Sequence, residues 1–267
     1  EKTAVLVLGD RGKVPAEAGY KKGDKLTYQI EIGNKELILQ EQKQYNMEAL
    51  KNIPITKMLF FDIETVRGEE NLLKKNKPLW EAWKYKMRNE DASTDKKLKE
   101  LYDEKAPLFA EFNKVVCITA AFVHEGELRM KSLVGEEVDI LTEFSELLDK
   151  TAGKRLTGFN INGFDIPVLM RRYICNNLPI PRSLDVSNKK PWEIDSVDLG
   201  LLWKGFGFYS SPLSGLCYAL NLDSPKGIMD GSEVSDQYYE GNIDKIQQYC
   251  EADVVAVYEI AKRFKGE

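Results

Sequence analysis

Apolar residues fall into short runs and periodic stripes that alternate along most of this chain. Residues 58–62 form an apolar run ending on Asp62, the pattern of a buried strand. A charged stretch at about 70–112 reads as helical. Val115–His124, rich in β-branched residues, and Glu127–Val134 read as strands, and Glu125-Gly126 between them predicts a hairpin. Val138, Leu141, Phe144, Leu147 and Leu148 then recur at helical spacing, which predicts a helix over 137–150. A short strand at about 155–159 gives way to a helix at 164–176, with Pro167 in its first turn, where a missing N–H costs nothing. Segments 198–204 and 213–221 read as short helices. Ile246, Val254, Val257, Tyr258 and Ala261 make the apolar stripe of a last helix over 242–265. This alternation of strands and helices argues for a layered α/β domain.

Residues 1–46 pattern differently. Ala4–Leu8 and Leu26–Ile32 are strand-like, and Lys35–Gln40 is expected to pair with the latter through Gly33-Asn34, a good two-residue turn. Val14 to Asp24 resembles a segment of PDZ-type domains. So short a segment is too small for a comfortable independent core. The expected division is therefore a small β-rich appendage at 1–46 and a main domain at 47–267. None of the candidate chemistry lies in the appendage.

Four features of composition narrow the function. No apolar stretch approaches the length of a membrane span, and the first residues do not form a signal peptide, so a cytoplasmic protein is expected. Cys117, Cys175, Cys217 and Cys250 are scattered without a C-x-x-C pair, which reads as four reduced structural cysteines rather than a zinc site or disulfide framework. The net charge is −5 and the pI near 5.3, which argues against a broad basic face gripping duplex DNA. His124, the sole histidine, sits beside a turn, so hydrolase mechanisms that need a histidine base have little support.

Four carboxylates in three separated segments carry the candidate chemistry. Asp62 and Glu64 lie two apart on the first strand and so face the same way. Two acids on one face of an apolar strand repel each other and are costly to bury unpaired, and a cation removes both problems. Asp165 opens a helix. Tyr249 and Asp253 are four apart on the last helix and share a face. Each feature alone is commonplace: a surface acid pair, a helix cap, a half-buried stripe. Their joint occurrence points to divalent cations and phosphodiester hydrolysis. Within residues 68–113, nine Lys and Arg residues from Lys74 to Lys99 interleave with Trp80, Trp83 and Tyr85. This is either a strand-binding lid, since bases stack on aromatic faces, or a solvated helical pair whose aromatics pack inward; nearby acids favour the second.

The motifs as they stand are Asp62-Ile63-Glu64-Thr65, then Gly158-Phe159-Asn160 with Phe164-Asp165-Ile166-Pro167, then Tyr249-Cys250 with Asp253-Val254. Together they resemble a DEDD-superfamily 3′→5′ exonuclease of the tyrosine (DEDDy) type, and within it the stand-alone proteins related to the proofreading exonuclease domain of family B DNA polymerases. The resemblance covers about residues 55–265. It implies a ribonuclease H-like fold, a five-stranded mixed sheet flanked by helices. It also implies catalysis by Asp62, Glu64, Asp165, Tyr249 and Asp253, with the four acids holding two Mg²⁺ or Mn²⁺ ions about 4 Å apart. Thr65, Asn160 and Phe164 become candidates to contact the terminal nucleotide, and Asp198 a supporting acid. The implied partner is a nucleic-acid 3′ end, single-stranded DNA being favoured, and the implied product is 5′-mononucleotide. Two other readings stand beside this one: an exoribonuclease acting on RNA ends, and a catalytically silent binding module on the same fold.

Overall fold

The central sheet is built around an apolar strand whose two faces carry different loads. The protein is described by a computed structural model covering residues 32–33, 36–37, 50–90, 93–190, 193–205, 207 and 210–267. Five strands form one sheet: β1 (Met58–Arg67), β2 (Asn113–His124), β3 (Glu127–Val134), β4 (Arg155–Gly158) and β5 (Ser196–Asp198). Their spatial order is β3-β2-β1-β4-β5. The β1–β2 and β2–β3 pairs are antiparallel, whereas β1–β4 and β4–β5 are parallel. Only β2 therefore runs against the rest. This mixed, helix-flanked sheet is the ribonuclease H-like arrangement.

Alternation along β1 sorts its residues between two cores. Leu59, Phe61 and Ile63 pack with Ile140, Leu141 and Phe144 of α4 (Glu137–Lys150) and with Ile166 and Leu169 of α5 (Asp165–Cys175). Met58 and Phe60 face the other way, toward Leu216 and Cys217 of α7 (Leu213–Ala219) and Val254, Val257 and Ile260 of α9 (Ile243–Lys265). Asp62 and Glu64 continue that second row, so the two acids are brought under α9 by the same period that buries Phe60. The row is apolar where α9 covers it fully and acidic where the chemistry is expected.

The predicted hairpin forms at Glu125 and Gly126, with φ of 52° and 82°, and closes on the His124–Glu127 pair. Two positive φ values in a row are what a two-residue hairpin of matching twist demands. His124 is exposed on it, as a turn residue should be. The predicted helix near 198–204 is α6 (Leu199–Lys204), but the residues just before it form a fifth strand, β5, that pattern reading passes over.

The charged insertion after β1 folds as α1 (Leu72–Lys75), α2 (Lys77–Lys86) and α3 (Asp95–Lys105) around its own core. Trp83 is fully buried, edge-on to Tyr102 at 5.3 Å and to Phe112 at 5.0 Å. Trp80 is buried with it. Lysines of the stretch pair with local acids, among them Lys84 with Glu81, Lys99 with Asp103 and Lys105 with Glu90. Neither tryptophan offers a free face, so packing accounts for these aromatics; Tyr85 alone is exposed. The helix α8 (Val234–Tyr239) covers the end of β1, where Arg67 is buried between Asp236 at 2.9 Å and the Tyr239 ring.

The chain divides into two compact units, Glu1–Gln44 and Tyr45–Glu267. In the first, Ile32–Gly33 pairs antiparallel with Glu36–Leu37. Gly33, expected in the turn, is itself paired to Glu36; Asn34 and Lys35 lie outside the described residues. The expected strand Ala4–Leu8 and the Val14–Asp24 segment lie outside the described residues. Among the described residues no helix is long and apolar enough to cross a membrane.

Candidate active site

Five sequence-predicted residues meet at the C-terminal half of β1. Asp62 is partly buried and Glu64, Asp165 and Asp253 are buried. The charges of Asp253, Asp165 and Glu64 all act on Asp62, and those of Asp253 and Asp165 act on Glu64. The Tyr249 hydroxyl faces Asp253 from one helical turn away.

Each carboxylate is placed by an identifiable local cause. The short strand β4 pairs with β1 only as far as Phe60. Beyond it the edge of β1 is open, and the Ile63 N–H donates to the Asp165 carboxylate instead. That contact docks the start of α5 against the first motif. The loop from β4 to α5 is shaped by Asp198, which is fully buried. Its carboxylate accepts from the backbone N–H groups of Asn160 at 2.9 Å, Asn162 at 3.0 Å and Leu201 at 3.1 Å. Asp198 thus caps α6 and pins the second motif with the same two oxygens.

Two glycines permit the close approach. A Cβ on Gly158 would lie 2.2 Å from the Ile161 side chain and 2.9 Å from the Phe61 carbonyl. A Cβ on Gly200 would lie 2.2 Å from the Asn160 amide oxygen. Sequence reading placed Gly158 in a motif but had no cause for it, and did not single out Gly200; such contacts become visible only in three dimensions.

The remaining candidates divide. Asn160 is exposed, with a left-handed φ of 60°, and Phe164 is half-buried at the head of α5. Thr65 is buried, and its hydroxyl donates to the Pro107 carbonyl at 2.8 Å. Thr65 therefore ties the first motif to the insertion that follows α3. Gly231 lies beside the Tyr249 hydroxyl, within 3.6 Å of a Cβ built on it. Asp230 next to it is paired with Lys226 at 2.7 Å, which holds its carboxyl down at about 2.

Burial pushes every acid of the cluster upward, and neighbouring carboxylates add to it at Asp62, Glu64 and Asp165. Asp62 and Glu64 are raised well above the ordinary carboxylate range, by burial first and by neighbouring carboxylates second. Burial raises Asp165 to about 7, with the Asp198 and Asp253 charges adding and the Ile63 N–H opposing. It raises Asp253 to about 7, with Tyr249 opposing. Burial and the Asp253, Glu64 and Asp62 charges push the Tyr249 phenol far above its usual value, so it keeps its proton. Among the described residues no lysine or arginine pairs with any of the four acids, and the buried Glu64 carboxylate has no hydrogen-bond donor. An all-oxygen cluster with surplus negative charge and no internal cation fits a hard divalent ion.

The linkage has a definite sign. Asp165 and Asp253 have folded values of about 7 against 3.8 for a free aspartate. Between those values the folded state holds protons that the unfolded state has released. The contribution of these two acids to the stability of the metal-free protein is thus greatest below about pH 4, falls as pH rises through this window, and reaches its floor above about pH 7. A shift of one unit is worth about 1.4 kcal/mol, so Asp253 alone costs up to about 4 kcal/mol at pH 8. Asp253→Asn should raise the metal-free melting temperature at pH 8, on the order of 5 °C, and Mn²⁺ should stabilise the wild type far more than the variant. Thermal denaturation with chelator and with Mn²⁺ checks this; a metal-free variant melting below the wild type contradicts it.

The helix-flanked mixed sheet thus brings four carboxylates and Tyr249 together beside β1. The chain belongs to the family described as predicted 3′-5′ exonucleases related to the exonuclease domain of PolB, whose model matches residues 108–266. The match includes Asp165, Tyr249 and Asp253, while Asp62 and Glu64 lie upstream of it. No curated protein matches the chain by sequence. Among solved structures it is similar to the family B DNA polymerase from the hyperthermophilic archaeon Pyrobaculum calidifontis, at 15% identity and a TM-score of 0.48, over 77% of this chain and 24% of that one. The chain spans about a quarter of the polymerase's length.

Proposed function

We propose that the chain is a divalent-metal-dependent 3′→5′ exonuclease of the tyrosine type, acting on single-stranded DNA and releasing 5′-mononucleotides. The observation that carries this reading is the buried, cation-free convergence of Asp62, Glu64, Asp165 and Asp253 beside Tyr249. We assign the chemistry to residues 47–267, with 1–46 as an appendage.

Asp62, Glu64, Asp165 and Asp253 would hold two Mg²⁺ or Mn²⁺ ions. When bound, such ions supply Lewis-acid activation of water and charge stabilisation for the leaving 3′ oxygen. The residues do the rest. The carboxylates, whose protons burial favours, must release them to hold a cation, so activity should rise with pH toward 8. Tyr249, holding its proton, cannot be the general base; its hydroxyl donates a hydrogen bond and orients the attacking water. Asp198 positions Asp165 through the loop it pins. Exposed Asn160 and half-buried Phe164 flank the second motif, where a terminal nucleotide would lie.

Tyr249→Phe keeps the ring and removes the hydroxyl. A positioned proton-transfer group contributes roughly 10²–10⁴-fold, and an orienting hydroxyl belongs at the lower end. The single-turnover rate at saturating Mn²⁺ should fall about a hundredfold; an unchanged rate would make Tyr249 a packing residue only.

The function itself is tested by blocking one end of a labelled strand. A bulky 3′ block should stop digestion and a 5′ block should not. RNA digested in preference to DNA would select an exoribonuclease, and no digestion of either would select a silent module.

A further inference from the structure

Two of the four cysteines, far apart in sequence, meet in space: Cys117 and Cys250 share one buried cluster. Cys250 lies on α9 between Tyr249 and Asp253 and is fully buried. Cys250 and Asp253 are three apart, so thiol and carboxylate turn toward β1 together. The Cys250 sulfur is 3.5 Å from the Asp62 carbonyl and 3.6 Å from Asp62 Oδ2. One donor atom each from Asp62, Glu64 and Cys250 lies within 4.8 Å of the other two.

The thiol is held there from behind. Cys117, opposite Glu64 in the β1–β2 register, is buried and faces the Cys250 thiol, both cysteines being free. Its sulfur is 3.8 Å from the Thr119 hydroxyl, which is 3.0 Å from Ser132, which in turn donates to Glu251 at 2.7 Å. This chain of contacts runs from β3 and α9 into the floor of the acid cluster. Beside the thiol, the Glu64 carboxylate is more than nine-tenths buried and aimed into the cluster without a donor among the described residues.

We infer that this corner of the cluster also binds a thiophilic cation of the zinc–cadmium class, with Cys250 as sulfur ligand and Asp62 and Glu64 as oxygen ligands. The inference rests on reading the cluster as a metal site. Magnesium and manganese have little use for sulfur, whereas a thiolate selects for zinc and its heavier congener. Tetrahedral zinc with bonds of about 2.0–2.3 Å sets its donors roughly 3.3–3.8 Å apart. The Cys250–Asp62 contact already has that spacing, and the Glu64 donor needs only a small closing movement. On binding, the thiol proton leaves to solvent and the metal–sulfur bond forms in its place, with no change of oxidation state. A thiophilic ion held this way occupies carboxylates that Mg²⁺ or Mn²⁺ requires, so trace Zn²⁺ should inhibit.

The test uses the whole chain carrying Cys175→Ser, which removes the exposed thiol. Metal-free protein is titrated with Cd²⁺ while the ultraviolet thiolate-to-cadmium charge-transfer band is recorded, and Mn²⁺ binding is measured by thermal shift on the same preparation. A saturable band at one Cd²⁺ per chain is expected. Cys250→Ser should lose the band and weaken Cd²⁺ binding at least about tenfold; Cys250→Ala reads the same way should the serine variant not fold. No band in the parent protein, or a band that survives loss of the Cys250 thiol, overturns the inference. If Mn²⁺ still binds in that case, the metal-site reading stands and only the sulfur ligand is wrong. If neither ion binds, the metal-site reading falls with it.

Discussion

Asp62→Ala is expected to lose nearly all turnover while the protein stays folded. Asp62 is where the cluster's fields converge, with Asp253, Asp165 and Glu64 all raising its pKa. It shares a strand face with Glu64, and the Cys250 thiol points at it. Removing one ligand from a metal centre that supplies several kcal/mol of barrier reduction should cost on the order of 10³-fold or more, since each 1.4 kcal/mol is a factor of ten. Stability should move the other way. The alanine relieves repulsion, so metal-free Asp62→Ala should melt at or above the wild type at pH 8. The pairing of lost rate with retained or improved stability distinguishes a ligand from a packing residue. Single-turnover rates and melting temperatures on one preparation decide it. A variant keeping more than about a tenth of the wild-type rate contradicts the role.

Asp198→Ala should have the opposite signature, a large loss of stability with activity following. The buried carboxylate serves three backbone N–H groups on two segments. An unsatisfied buried donor costs about 1–3 kcal/mol. Loss of all three, partly recovered by water near exposed Asn160, should cost about 3–5 kcal/mol. For a domain of this size that lowers the melting temperature by roughly 10 °C or more. Asp198→Asn keeps one acceptor oxygen and should fall between. Asp165 would lose its placement along with the loop, so turnover per folded molecule should also drop. A melting temperature within about 2 °C of the wild type would show that the three N–H groups find other partners.

The two residues also mark how much was readable in the chain itself. Asp62 and Glu64 follow from strand alternation, and Tyr249 and Asp253 from helical spacing, because both patterns are local. The long apolar stripes of β1, β2, α4 and α9 are legible for the same reason. β5 is not, since three residues carry no period. Gly158 and Gly200 are needed for contacts with Ile161 and Asn160, which no local pattern announces. Trp80 and Trp83 left both stacking and inward packing open, with packing favoured, and their own small core accounts for them. Thr65 shares a motif with Glu64, yet a register irregularity follows Glu64 and the Thr65 hydroxyl turns to Pro107. The four cysteines are free, as expected, but the meeting of Cys117 and Cys250 was not legible, because spacing along the chain says nothing about a strand residue and a helix residue meeting across a sheet face.

The central claim is that the cluster removes nucleotides from a 3′ end with divalent metal. Single-turnover digestion of 5′-labelled single-stranded DNA by the wild-type chain tests it most directly. With Mn²⁺ at pH 8 the label should move down a ladder one nucleotide at a time, with 5′-mononucleotides released. Chelator should abolish the ladder, and so should a 3′ block. Internal cuts, cleavage of a closed circle, or digestion indifferent to metal or to the 3′ block would contradict the account.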